Sequence, residues 1–168
     1  SVVAVSLKIH EGIGYNEDGI PSPLPPANYG QRFLYATQIA PVPGQHALEL
    51  SFWGSINATG TVQVDLAYLI RGNSLLQEFP IDVECEQGAA IGEMLVAEDV
   101  NFDGYLDFRL CRSMGVYNRY YDYWTWDPVK QAFLGNQGFN ELEAEPRFDA
   151  ASGSIHCSVK DGAANYYE

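Results

Sequence analysis

The chain has 168 residues, of which 46% are hydrophobic, which fits one domain with a substantial core and excludes a disordered acidic tail. A formal net charge of −13 argues against nucleic acid or an anionic membrane surface as partner. It suits a cationic protein or a multivalent metal ion, and it serves solubility equally well.

Eleven tyrosines, eight phenylalanines, three tryptophans and sixteen glycines favour strands and tight turns over helices. No apolar run approaches the length that spans a bilayer. Ser1-Val-Val-Ala-Val lacks the charged start and apolar core of a signal peptide. The expectation is an exported chain whose leader, with or without a lipid anchor, lies upstream of these residues.

Val3, Val5, Leu7 and Ile9 alternate with small or polar residues, the pattern of a half-buried strand. Glu11 to Gln31 contains Pro21, Pro23, Pro25 and Pro26, whose missing donors argue against regular ladders, so an irregular arm is expected over 11–31. Strands are expected over Phe33–Ile39, Ala47–Trp53, Val62–Ile70 and Leu76–Cys85, the last bent at Pro80. The intervening turns carry Pro41, Pro43 and Gly44, then Asn57 and Gly60, then Gly72 and Asn73. Gln87–Val96 is the only ambiguous stretch, and no amphipathic helix of useful length stands out. The fold class expected is all-β over one domain, 1–168: an antiparallel sandwich or a propeller-like meander.

Asp99-Val-Asn-Phe-Asp-Gly-Tyr-Leu-Asp107 places Asp, Asn, Asp, Gly, Tyr and Asp at relative positions 1, 3, 5, 6, 7 and 9. Calcium takes six to eight hard oxygen ligands in a tolerant geometry, and Asp99, Asn101, Asp103, Asp107 and the Tyr105 carbonyl are the candidate donors for Ca2+. Gly104 permits the sharp turn. Leu110 stands where an EF-hand has its bidentate Glu, and the flanks are strand-like, so this is an EF-hand-like loop joining strands, with Glu98 or a distant carboxylate as the substitute ligand. An ion-free Asp-Gly turn held by Asx hydrogen bonds is the plainer reading. Crowded carboxylates repel one another unless a cation screens them, which favours the metal over that reading.

After the loop comes Phe108-Arg-Leu-Cys-Arg112, a strand, then the turn Ser113–Asn118, then the strongly β-forming Arg119-Tyr-Tyr-Asp-Tyr-Trp-Thr-Trp126. Tyr121, Tyr123 and Thr125 share one face of that strand; Tyr120, Asp122, Trp124 and Trp126 share the other. The turn is small and polar with Tyr117 near its tip, which suits a protruding recognition loop as well as an ordinary hairpin. Trp126-Asp127 and Phe148-Asp149 are each followed by five residues and then Phe133 or Ile155, a spacing that predicts two hairpins in which Asp caps the turn.

The ordered set Asp99–Asp107, the Ser/Gly/Tyr turn, Tyr-Trp-Thr-Trp-Asp127 and Phe133 resembles the periplasmic inhibitors of invertebrate-type lysozyme. It is more similar still to their relatives, immunity proteins against peptidoglycan hydrolases delivered by type IV secretion. The resemblance covers roughly Glu93–Glu168. It implies a calcium-binding antiparallel β-fold, a periplasmic location and a lysozyme-like hydrolase as partner. It also implies an inhibitory loop of Ser113, Gly115 and Tyr117, with Met114 inserted relative to the family's Ser-Gly-x-Tyr. Hydrolases that grip an anionic cell wall tend to be basic, which an acidic inhibitor complements.

A calcium-dependent carbohydrate-binding or adhesion module is the alternative. A catalytic role is the weakest reading: His10, His46 and His156 are scattered, and Glu141, Glu143 and Glu145 look like solvent-facing acids more than a glycosidase pair. Cys85, Cys111 and Cys157 allow three pairings, and one disulfide is expected in an exported chain. No sequence feature decides between monomer and homodimer.

Overall fold

The computed structural model describes residues 13–15, 21–23, 31–85, 91–114, 118–142, 145–160 and 166–167. The strand expected over Val3–Ile9 lies outside them. Within the proline-rich arm, β1 (Ile13–Tyr15) and β2 (Pro21–Pro23) form a two-stranded antiparallel ribbon, which corrects the expectation that prolines bar a ladder there. Pro21 and Pro23 are two apart and face Tyr15 and Ile13. Prolines at alternate positions turn the same edge outward, so in a ribbon neither has to donate.

The first large sheet is an antiparallel meander of β3 (Arg32–Ile39), β4 (Leu48–Ile56), β5 (Val62–Arg71) and β6 (Ser74–Cys85), in that spatial order. Pro80 is accommodated because β6 is an edge strand. The register slips between Val64 and Leu66, where Asp82 takes a positive φ of 53° and supplies the expected bend. Gly54 sits at another slip, where any Cβ would run into the Gln63 carbonyl.

Of the ambiguous stretch, residues 87–90 lie outside the described ones; the rest is a helical turn, α1 (Ile91–Met94), that leads into the second meander: β7 (Leu95–Glu98), β8 (Asp107–Met114), β9 (Arg119–Asp127) and β10 (Ala132–Gly135). The two sheets pack face to face, and the protein is an all-β antiparallel sandwich. Phe108 is the hub of the shared core. It stacks on Trp124 at 5.0 Å and 9°, and meets Phe133 at 5.0 Å, Phe52 at 6.0 Å and Phe79 at 6.3 Å. Each such ring, fully buried, is worth about 1.5–3 kcal/mol in transfer free energy, so this cluster is what holds the sheets together.

The opposite face of the second sheet is also covered. The chain continues through α2 (Gln137–Asn140), whose N-cap Asn136 accepts from the Phe139 N–H, to the ribbon β11 (Arg147–Asp149) and β12 (Ser154–His156). A further short ribbon pairs β13 (Val159–Lys160) with β14 (Tyr166–Tyr167). Phe139 and Phe148 pack on Tyr123 at 5.7 and 6.2 Å, so alternate residues of β9 feed two separate aromatic layers. That alternation agrees with the face assignment made from sequence.

Both hairpins predicted by the Trp-Asp and Phe-Asp spacing form. Trp126 pairs with Phe133, and Phe148 with Ile155. The Asp127 carboxylate accepts from the Val129 and Lys130 N–H groups, and that of Asp149 from Ala151. Hydrogen bonds of the turns hold both carboxyls below the usual carboxylate range, from the Lys130 N–H first at Asp127, and from the Ser152 side chain first and then the Ala151 N–H at Asp149.

The disulfide expected of an exported chain is not formed. Cys85 and Cys111 are both buried thiols; the first donates to the Cys111 carbonyl at 3.0 Å and the second to the Ser113 carbonyl at 3.3 Å. Burial pushes the Cys85 thiol up to about 12, so it is inert as a nucleophile.

Candidate functional site

The acidic loop connects β7 to β8 and closes on itself. The two Asp99 carboxylate oxygens accept from the Asp103 N–H at 3.2 Å and the Gly104 N–H at 2.9 Å. Asn101 Oδ1 accepts from the Asp103 N–H, and Asp103 Oδ1 from the Tyr105 N–H. The Asn101 amide donates to Asp103 Oδ2 at 2.8 Å. Gly104 adopts φ +86°, the left-handed turn for which the sequence had reserved it. Phe102 does the same at φ 61° with a full side chain, held by its ring against Phe148 at 6.4 Å. The sequence reading missed Phe102, because its partner lies 46 residues away in β11.

Asp107 behaves differently from the other three. It is completely buried, and its oxygens accept from the Val100 N–H at 3.0 Å and the Trp126 N–H at 2.7 Å. One carboxylate therefore joins the start of the loop, the start of β8 and the end of β9. Burial raises its carboxyl to about 6; the two N–H donors pull it down, and Asp103 and Asp99 push it up. Glu98, the suggested substitute ligand, is committed elsewhere: it ion-pairs with Arg109 at 2.7 Å across the β7–β8 ladder.

The loop's donors are all oxygens, which is the chemistry a hard divalent cation takes. Asp99, Asn101 and Asp103 share one turn, with the Tyr105 carbonyl next along the chain. Asp107 faces inward, as a clasp. Among the described residues no three His, Cys, Asp or Glu side chains are grouped closely enough to hold a metal ion. As folded, the loop is held by its own hydrogen bonds.

The other candidate segment closes the β8–β9 hairpin. β8 runs to Met114, which pairs with Arg119, so Ser113 is a half-buried strand residue opposite Tyr120 and not part of the turn. The strand expected to end at Arg112 continues because a bulge between Cys111 and Ser113 lets pairing resume. Gly115 and Tyr117 lie outside the described residues. The hairpin stem carries Arg112, ion-paired with Asp122 at 3.6 Å, and Arg119, ion-paired with Glu145 at 3.7 Å. Glu145 also accepts from the Tyr121 hydroxyl, which gives it a structural partner.

Comparison with known protein families, with curated proteins and with solved structures finds no match to this chain.

Proposed function

We propose that the protein is a calcium-binding periplasmic inhibitor, an immunity protein, of a lysozyme-like peptidoglycan hydrolase, and that it has no catalytic activity of its own. The observation that carries this reading is the Met114–Arg119 register, which leaves residues 115–118, Tyr117 among them, to close a hairpin stemmed by two long strands. A tyrosine offers contact area at low entropic cost, and its hydroxyl can hydrogen-bond to the carboxylates that cut glycosidic bonds. The net charge of −13 adds steering toward a basic enzyme. Calcium on Asp99, Asn101, Asp103 and the Tyr105 carbonyl would stabilise the root of β8, with Asp107 as a ligand or as the clasp beneath it.

The deciding experiment is cell-wall lysis by a panel of muramidases, including secreted effectors, with and without the protein and its Tyr117→Ala variant. Stoichiometric inhibition that disappears in Tyr117→Ala is the expected result. Inhibition unaffected by the substitution would remove the loop from the reading, and no inhibition across the panel would remove the reading itself.

A second reading, a calcium-dependent carbohydrate-binding or adhesion module, draws on Phe33. This ring is 42% exposed on the edge strand β3 and stands edge-on to Trp53 at 5.7 Å. Exposed rings of this kind stack on sugars. Glycan-array binding lost in Phe33→Ala, without hydrolase inhibition, would favour this alternative.

A further inference from the structure

The face of the first sheet that turns away from the second carries an apolar row at right angles to its strands. Phe33, Trp53, Leu66 and Pro80 are register partners in turn across β3, β4, β5 and β6. None of the four belongs to the core shared by the sheets. Phe33 and Pro80 are exposed, and Trp53 and Leu66 are half-buried. Contiguous apolar surface of this kind marks an interaction site.

Three observations among the described residues point to its occupant. Beside the row, Tyr68 and Ile70 are 1% and 6% exposed, yet they alternate with Ala67 and Leu69 of the shared core and take no part in it. A layer other than the second sheet therefore covers them. Gln31, the residue before β3, reaches over β4 and donates through its side-chain amide to Asp65 of β5 at 3.2 Å, so the chain arrives at β3 from across the sheet. At the far end of the row, β2 lies beside β6. The row from β3 to β6 spans roughly 14 Å, and the chain from Pro26 to Gln31 reaches at most roughly 17 Å, so the prolines fall within range.

We propose that this row is the docking face for the chain's own proline-rich segment, residues 21–26. Proline presents apolar surface on a backbone that is stiff before binding, and such segments dock on aromatic-lined grooves. Residues 21–26 read Pro-Ser-Pro-Leu-Pro-Pro and carry no charge. A second copy of the chain is the poorer occupant, because it would bring a further net charge of −13 toward the exposed Glu78, Asp82 and Glu84 of β6. A segment tethered at Gln31 also docks at the high effective concentration of its own chain.

The test places a nitroxide at Ser22→Cys in the isotopically labelled 168-residue chain, with Cys157→Ser so that only the buried Cys85 and Cys111 remain as native thiols. The Trp53 indole N–H and the amides of Leu66 and Tyr68 should lose most of their intensity relative to the reduced label. The β11–β12 ribbon, on the opposite side of the molecule, should keep its own. Leu66→Asp, on the face away from the core, should restore the lost intensity. So should Pro23→Ser combined with Pro25→Ser and Pro26→Ser, which leaves the sheet untouched. Undiminished Trp53 and Leu66 signals would overturn the proposal, as would attenuation that survives both sets of substitutions. Equal attenuation between molecules, in a mixture of spin-labelled chain and isotopically labelled chain without nitroxide, would give the row to a second copy and overturn it too.

Discussion

The Gln77 side chain acts as a strand for Phe133. Its Oε1 accepts from the Phe133 N–H at 2.8 Å and its Nε2 donates to the Phe133 carbonyl at 2.7 Å. An amide presents one acceptor and one donor side by side, as an extended backbone does, so one residue of β6 continues the ladder beyond the free edge of β10. It also bridges the two sheets at the rim of the core.

Gln77→Ala should therefore cost about 2–3 kcal/mol, because it strands a partly buried backbone N–H and C=O together. Gln77→Glu should be nearly as harmful, since a carboxylate has nothing to donate to the Phe133 carbonyl. Urea denaturation of both variants measures this, and a loss of a few tenths of a kcal/mol for either would contradict it.

Asp107→Asn changes a single atom type, yet both Asp107 oxygens face N–H donors. Whichever way the amide turns, its NH2 group confronts either Val100 or Trp126. The expected loss is about 2–4 kcal/mol, in the range for a buried polar clash without escape. A melting curve within a degree or two of the parent would refute the clasp.

The same carboxylate sets a pH dependence of definite sign. Its folded-state value of about 6 lies above the 3.8 of an ordinary aspartate, so the native state holds the proton more tightly than the unfolded one. Stability from this group is complete below about pH 4 and falls as pH rises through about 6, by on the order of 2 kcal/mol. Urea midpoints measured in chelator from pH 4 to 7 should show that slope relative to Asp107→Asn, which lacks the titrating group.

Arg109 is 7% exposed, sits 4.3 Å over the Tyr121 ring, pairs with Glu98 and donates to the Pro146 carbonyl. Arg109→Ala leaves Glu98 partly buried and uncompensated, and should cost about 3–5 kcal/mol. Adding Glu98→Gln should restore part of that, and a double-mutant cycle reads the recovery directly. Strict additivity would mean the pair is not coupled.

Chelation provides the fifth test. If calcium binds the turn of Asp99, Asn101 and Asp103, then saturating EDTA should lower the melting temperature of the parent and leave Asp99→Ala unchanged. Calorimetric titration of Ca2+ into chelator-treated protein should show one site in the parent and none in the variant. An identical melting temperature with and without EDTA would leave the loop as a self-bonded turn.

The legible parts of this molecule in sequence were the local ones. Alternation located β3 to β6, and the spacing from Trp126-Asp127 and Phe148-Asp149 gave two hairpins with their capping carboxylates, because a turn's chemistry is contained within a few residues. The oxygen-rich repeat Asp99–Asp103 announced the loop for the same reason. What sequence did not reveal depends on distant partners. Asp107 reads as the last member of the repeat, and only the arrival of β9 turns it into a buried clasp. Glu98 reads as a spare ligand until Arg109 lies across from it. Gln77 has no local signature at all, since its partner is 56 residues away.

β8 has the acidic loop at one end and the β8–β9 closure at the other, separated by eight strand residues, a span of roughly 25 Å. Val129, which is 92% exposed in the β9–β10 turn, belongs to the acidic end. Residues 115–118 can thus drift in sequence without disturbing the clasp that keeps β8 and β9 in register. A dye or surface tether carried at Val129→Cys, with the half-exposed Cys157 changed to Ser, would sit a strand's length from that hairpin closure, which orients the immobilised molecule in one direction.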